Sequence, residues 1–210
     1  MAFVAPARRL GQQVFAPGLR LSYGGQVVRA ATSVGLVRLD AQGEVVPALA
    51  DRWIVADGGR SYIFRLRDGD WPNGSDLTGE SARDSLRRAI RDLRGTSLGL
   101  DLAPVSEVRA MAGRVVEIRL AEPMSDFLRL LAQPELALSH GGFSSGPMTL
   151  ERDPDGAVLR FRPPEARGLP RDDDWQEGVR PIAISALESE DALAAFENGE
   201  LDVVLGGRLG

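Results

Sequence analysis

The alternation of hydrophobic and polar positions along the chain predicts a series of β-strands. In residues 61–67 the side chains of Tyr62, Phe64 and Leu66 are apolar, and largely basic positions lie between them. Because a strand has a side-chain period of two, this stretch presents one face to a core. Further strands are predicted at 35–40, 44–47, 53–55, 106–111, 115–120, 148–152, 157–162, 182–186 and 201–205. The Gly- and Ser-rich stretch 139–147 is predicted to be a loop or a crossing between domains, and residues 153–156 a hairpin turn.

A longer period predicts helices between these strands. Thr78 is a favoured N-cap residue, and it precedes a single apolar stripe that ends near Gly95. Residues 27–31 fit either a short strand or a helical turn. Three shorter helical segments are predicted: a turn at 48–52 after Pro47, a helix capped by Ser125 and a helix capped by Ser189.

Composition and charge exclude several classes of protein. The 210 residues are 43% hydrophobic and 26% charged, which is typical of globular proteins. No apolar run approaches the roughly 20 residues that span a bilayer, so the chain is predicted not to span a membrane. The net charge is −5, and the 25 basic residues, all Arg, are interleaved with acids. Because the basic residues form no separate patch, nucleic-acid binding is not expected.

The chain has no Cys and a single His, His140. Zinc fingers, iron–sulfur sites and thiol nucleophiles are therefore excluded, and neither a cofactor nor a metal site is predicted. The acidic run 172–174 lacks the spacing of a calcium loop and is predicted to be a solvated loop. Residues 1–9 do not have the pattern of a secretory signal, so they leave the compartment open.

Six blocks, in the order of the chain, carry a resemblance to a known family. They are GLVRLD at 35–40 with VPALADRW at 46–53, YIFRLRDG at 62–69, LTGES at 77–81, the 115–120 strand followed by AEP at 121–123, SGPMTL at 145–150, and the 193–203 stretch with NGELD. This order resembles the family 5 extracellular solute-binding proteins, the dipeptide-, oligopeptide- and nickel-binding components of ABC importers. The resemblance covers roughly residues 30–210.

The chain also departs from the family pattern. The family commonly carries His-Asp where this chain has Pro72-Asn73, and Tyr where it has Met148. Family members are about twice as long or longer, and their N-terminal strand is not recognisable here.

The resemblance implies a mixed α/β (α+β) fold. It predicts a lobe of the periplasmic-binding-protein type from residues 1–45 plus 140–210, with an inserted α+β subdomain at 46–139 and the second lobe absent. The tail, strand–helix–strand over 182–205, is predicted to be a βαβ unit with parallel strands.

The resemblance further implies non-covalent capture of a peptide or similar small solute, in the periplasm, for an ABC transporter permease. The other partner that it implies is the missing second lobe, and it implies no catalytic residue. It places Thr32, Ser33 and the loop of Ser144, Ser145 and Gly146 near the ligand cleft. Trp71 is a further candidate for the cleft wall, although packing over the core is the favoured alternative for it.

Other functions stay open at this point. The chain could be a truncated ligand-sensing module of a regulator, or a fragment without binding of its own. It could also be a hydrolase that uses Ser145 and His140, in which case replacing His140 would abolish activity.

Overall fold

The computed structural model describes residues 2–4, 23–153, 156–167 and 169–206. They belong to two compact units: Met1–Thr32 with Gly146–Gly210, called the terminal unit, and Ser33–Ser145, called the inserted unit. The predicted boundaries at 45/46 and 139/140 differ from these, because the contacts assign residues 33–45 and 140–145 to the inserted unit. Within the described ranges, no helix has the length and apolar character needed to cross a membrane.

The described residues form short helices and strands throughout both units. In chain order they are β1 (Ala2–Val4), α1 (Tyr23–Thr32), β2 (Val37–Leu39), β3 (Val45–Pro47), β4 (Ala50–Ala56), β5 (Ser61–Leu66), α2 (Gly79–Asp92), α3 (Ser97–Asp101), β6 (Val105–Met111), β7 (Val115–Leu120), α4 (Phe127–Leu131), β8 (Ser139–His140), β9 (Phe143–Ser144), β10 (Met148–Asp153), β11 (Gly156–Phe161), β12 (Ile182–Leu187), α5 (Ser189–Glu197) and β13 (Val204–Leu205).

A four-stranded antiparallel sheet, in the order β4-β5-β7-β6, is the centre of the inserted unit. The alternation in β5 is confirmed, since Tyr62, Phe64 and Leu66 are buried with at most 4% of their surface exposed. The neighbouring strand β7 adds Val116 and Ile118 to the same face. Helix α2 packs on β6 and β7; Ala82, Leu86 and Ala89 of its apolar stripe are buried, and the polar Ser85 is buried with them.

Helix α2 begins where the sequence predicts. The Thr78 Oγ1 accepts the Ser81 N–H at 3.1 Å, and the Ser81 Oγ accepts the Thr78 N–H at 3.1 Å, which completes a capping box. The first helical residue, Gly79, lies so close to β7 that an added Cβ would be 2.7 Å from the Val115 carbonyl oxygen. The start of α2 therefore lies so close to the sheet that a residue with a side chain at position 79 would clash with β7.

Three local predictions were wrong. Residues 48–52 do not form a helical turn, because Ala50 pairs with Leu66 and donates its N–H to the Leu36 carbonyl at 2.9 Å, so this segment enters β4. Ser125 and Ser189 are not N-caps; Asp126 and Glu188 hold those positions, without a side-chain capping bond. The segment 139–147, predicted to be a loop or a crossing between domains, contains the boundary between the two units, together with the two-residue strands β8 and β9.

The terminal unit has a mixed five-stranded sheet in the order β10-β11-β12-β1-β13. The predicted βαβ tail is confirmed: β12 and β13 both run parallel to β1, which lies between them, although β13 is shorter than predicted. The strand β1 was not predicted from the sequence. Residues 27–31 are helical, and Val28 of α1 packs with Met148, Leu159 and Ile184. The predicted turn at 153–156 includes residues 154 and 155, which lie outside the described residues.

A buried carboxylate, Glu117 of β7, lies on the opposite face of the inserted sheet. Its oxygens accept hydrogen bonds from Ser61 at 2.8 Å, Arg109 at 2.7 Å and Arg119 at 3.0 Å. Burial by itself raises the pKa of Glu117, but these three donors outweigh it and lower the pKa to about 2. Because β5, β6 and β7 each supply one donor, the ionised carboxylate connects three of the four strands.

Glu117 is expected to make the inserted unit sensitive to acid. Because its pKa is lowered from 4.5 to about 2 by folding, its stabilisation is complete above the ordinary value and is lost as the pH falls between the two. Glu117→Gln is therefore expected to lower the free energy of unfolding at pH 7 by about 1–2 kcal/mol, a value that allows for solvent near the arginines. Urea unfolding at several pH values measures both effects. Glu107→Gln, an exposed acid on β6, is the control, and equal acid profiles for Glu117→Gln and wild type would contradict the role.

Candidate functional site

Five of the six predicted ligand residues lie where the chain passes between its units. In the terminal unit, the Gly146 N–H donates to the Thr32 carbonyl oxygen at 3.0 Å. In the inserted unit, the Ser33 Oγ donates to the Ser144 Oγ at 2.9 Å. The structure therefore brings four of these residues together as two hydrogen-bonded pairs, each pair inside one unit. Ser145, the fifth, lies between Ser144 and Gly146 in the chain.

Local structure fixes both pairs. Thr32 is the last residue of α1, and its hydroxyl donates to the Val28 carbonyl in the preceding turn at 2.8 Å. Ser144 belongs to the β8–β9 hairpin, where it pairs with Ser139. The Ser139 N–H donates to the Ser85 Oγ of α2 at 2.8 Å, so the hairpin is held by a buried helix residue.

Ser145 differs from the other predicted residues in its side chain. Its hydroxyl forms no hydrogen bond within the described part of the chain, whereas the hydroxyls of Thr32, Ser33 and Ser144 all take part in one. The side chain is half-buried. A hydroxyl can both donate and accept, so Ser145 offers a bound molecule one group of each kind.

Trp71, the remaining predicted residue, is a buried side chain of the inserted unit with 1% of its surface exposed. Its indole N–H donates to the Ser81 Oγ at 2.9 Å, and its ring stacks on His140 with 5.7 Å between the ring centroids. This is the geometry of the packing alternative, which the sequence favoured. A contact between Trp71 and a ligand stays a prediction.

His140 is held by the same stack, in strand β8. Among the described residues it forms no hydrogen bond with Ser145, and no group of three or more His, Asp or Glu side chains could hold a metal ion. In the acidic run, Asp173 pairs with Arg171 at 2.7 Å and the other two aspartates are exposed, as expected for a surface loop.

Sequence reasoning did not single out Arg162, which follows β11 in the terminal unit. Its backbone N–H donates to the Pro147 carbonyl at 2.9 Å. Burial lowers the pKa of its guanidinium from the ordinary value, and an arginine still carries its charge at neutral pH. The only signal in the sequence was its position after a predicted strand, which is too common to mark a site.

Solved structures place this architecture in a known class. OppA of Haemophilus influenzae, in complex with RPPGFSPFR, matches with a TM-score of 0.77 and 16% identity over 99% of this chain and 46% of that one. The periplasmic binding protein DppA of Helicobacter pylori, in complex with the peptide STSA, matches with a TM-score of 0.76, 16% identity and the same coverage. The fold is therefore that of part of a periplasmic binding protein.

Residues 44–210 match the family described as "Bacterial extracellular solute-binding proteins, family 5 Middle". The chain belongs to this family, which confirms the resemblance. Two relatives from Escherichia coli K12 are a probable deoxycholate-binding periplasmic protein, YgiS, 33% identical over 49% of this chain, and a nickel-binding periplasmic protein, 34% identical over 47%. The matched residues span 22% and 19% of the lengths of these relatives.

The link from Trp71 to Ser81 is expected to matter for stability. Ser81→Ala leaves the buried indole N–H without its acceptor and also breaks the capping box, so we expect a loss of about 2 kcal/mol. Thr78→Ala breaks the capping box alone, and a loss of about 1 kcal/mol is expected. Urea unfolding followed by circular dichroism compares the two variants. Equal losses would show that the Trp71 hydrogen bond contributes nothing.

Proposed function

We propose that this chain captures a peptide or similar small solute, non-covalently, as the substrate-binding component of an ABC importer. Family membership over residues 44–210 is the observation that carries the proposal. The proposed location is the periplasm or another extracytoplasmic space, in keeping with the periplasmic relatives. The proposed partners are the permease and a second lobe that forms the other wall of the cleft.

The solute class is the least constrained part of the proposal. The relatives and neighbours include a probable deoxycholate-binding protein, a nickel-binding protein, the glutathione-binding protein GsiB and two proteins in complex with peptides. We favour a peptide because both structural neighbours with peptides in place match 99% of this chain. An extended peptide presents one donor and one acceptor per residue, so it needs partners that do both.

We assign ligand groups to each unit separately: Ser33, Ser144 and Ser145 in the inserted unit, and Thr32 and Gly146 in the terminal unit. Within the inserted unit the Ser33 and Ser144 side chains share a hydrogen bond, and within the terminal unit the Gly146 N–H donates to the Thr32 carbonyl, so these groups are held in place before a solute binds. A pre-formed backbone lowers the entropy lost on binding. The Ser145 hydroxyl, unused inside the described part of the chain, is the side-chain group that we assign to the solute.

A thermal melt with and without solute tests the proposal. The solutes are a mixed pool of di- to oligopeptides and, separately, glutathione, deoxycholate and Ni²⁺. Solute at 100 times its Kd is expected to stabilise the protein by about 2.7 kcal/mol, which raises the Tm by roughly 5–10 °C. A cooperative melt that none of these solutes shifts would contradict capture by this chain alone.

Ser145→Ala tests the assigned hydroxyl. It removes one hydrogen bond to the solute, and we expect the Kd to rise by about 2- to 12-fold while the Tm without solute stays unchanged. Ser125→Ala is the matched control, since Ser125 is exposed and its hydroxyl also forms no hydrogen bond in the described residues. An unchanged Kd for Ser145→Ala would remove Ser145 from the site.

Binding without catalysis also predicts the effect of losing the histidine. His140→Phe keeps an aromatic ring against Trp71 but removes every imidazole nitrogen. We expect this variant to show the same solute-dependent rise in Tm as the wild type. Solute turnover by the wild type, measured by mass spectrometry and lost in His140→Phe, would favour the hydrolase alternative instead.

A further inference from the structure

The inserted sheet has a second face, opposite its core, which we call the outer face. Strand register arranges it in three rows across β4, β5, β7 and β6. The rows are Arg52-Arg65-Val115-Met111, Ile54-Ile63-Glu117-Arg109 and Ala56-Ser61-Arg119-Glu107. All three rows lie within the inserted unit.

The arginines on one half of the outer face are paired with a carboxylate, and those on the other half are not. Arg109 and Arg119 both donate to Glu117. Arg52 and Arg65 lie directly opposite each other, both exposed, and neither has an ion pair or a side-chain hydrogen bond among the described residues. Like charges at directly opposed positions destabilise a sheet, so folding alone gives no reason for this pair.

Exposed aliphatic side chains lie beside the two arginines. Ile54 is 63% exposed and Met111 is 43% exposed, and Ile63 and Val115 are half-buried between them. The combination of two unpaired cations with aliphatic groups from two neighbouring rows matches a ligand that carries both carboxylates and apolar side chains.

We propose that the outer face binds an acidic, aliphatic segment of a partner protein. Its carboxylates bind Arg52 and Arg65, and its aliphatic side chains cover Ile54 and Met111. A protein segment is favoured over an anionic lipid surface, because the exposed Glu107 on the same face would meet uniform negative charge on a membrane, whereas a segment can place its carboxylates beside Arg52 and Arg65 alone. This interaction is separate from solute capture.

Fluorescence anisotropy with a labelled short peptide of alternating Glu and Leu tests the proposal, with a Lys–Leu peptide as the reverse-charge probe. We expect the wild type to bind the Glu–Leu peptide, less tightly at high salt, and not the Lys–Leu peptide. The double variant Arg52→Glu/Arg65→Glu is expected to weaken binding by about tenfold or more. The matched control is Arg87→Glu/Arg88→Glu, which changes the charge equally on the exposed side of α2 and is expected to leave binding intact.

The single variant Arg52→Glu separates binding from folding. It places opposite charges across β4 and β5, so we expect the Tm to rise by roughly 1–3 °C while peptide binding weakens. Binding that persists in the double variant, or falls equally in the control, would overturn the proposal, as would no binding by the wild type. Two further outcomes would overturn it. One is that the protein binds anionic phosphatidylglycerol vesicles through Arg52 and Arg65 but does not bind the peptide. The other is that sedimentation shows the protein associating with itself through this face.

Discussion

The terminal unit depends on the two ends of the inserted unit being held side by side. Helix α1 ends at Thr32 and β10 begins two residues after Gly146, yet Val28 of α1 and Met148 of β10 share one core. The long insertion between them must therefore return to its starting point. Hydrogen bonds do this on both sides: Ser33 to Ser144 in the inserted unit, and Gly146 to Thr32 in the terminal unit. Closing so long a loop has an entropic cost, which the packing of the inserted unit must offset.

Local patterns predicted most of the strands and the longest helix of the inserted unit, because their signals lie within a few residues. The period of two in β5 and the N-cap at Thr78 each need only neighbouring positions. Where a long-range contact decided the structure, the local signal failed. Ala50 follows a helix-like start at Pro47, but Leu36 and Leu66 take its backbone groups into a sheet. In the part of the chain that the structure describes, β1 pairs with β12 and β13, which lie near the other end of the chain.

The candidate site divides in the same way. The family resemblance implied that residues 32–33 and 144–146 lie near the ligand. It did not predict the hydrogen bonds in which most of their polar groups take part. The Ser33–Ser144 bond joins residues separated by 111 positions, so no local pattern predicts it. The Trp71–Ser81 bond spans 10 positions and still depends on the loop that turns the indole onto α2. Hydrogen bonding is what distinguishes Ser145: its hydroxyl forms no hydrogen bond among the described residues, whereas those of Thr32, Ser33 and Ser144 do.

The two faces of the four-stranded sheet differ in how well their side chains suit the folded chain. The core face has buried side chains in every strand, and Glu117 fixes three strands from the outer face with a full set of donors. Against this background the opposed pair Arg52 and Arg65 is a local conflict. Sequences that fold well agree with their structure at most positions, and the exceptions concentrate where another molecule binds. In the same sheet the carboxylate of Glu117 lies opposite Arg109. Among the residues with a described structure, no carboxylate lies opposite Arg52 or Arg65 on β4 and β5. A carboxylate supplied by a partner protein is the simplest physical explanation for this arginine pair.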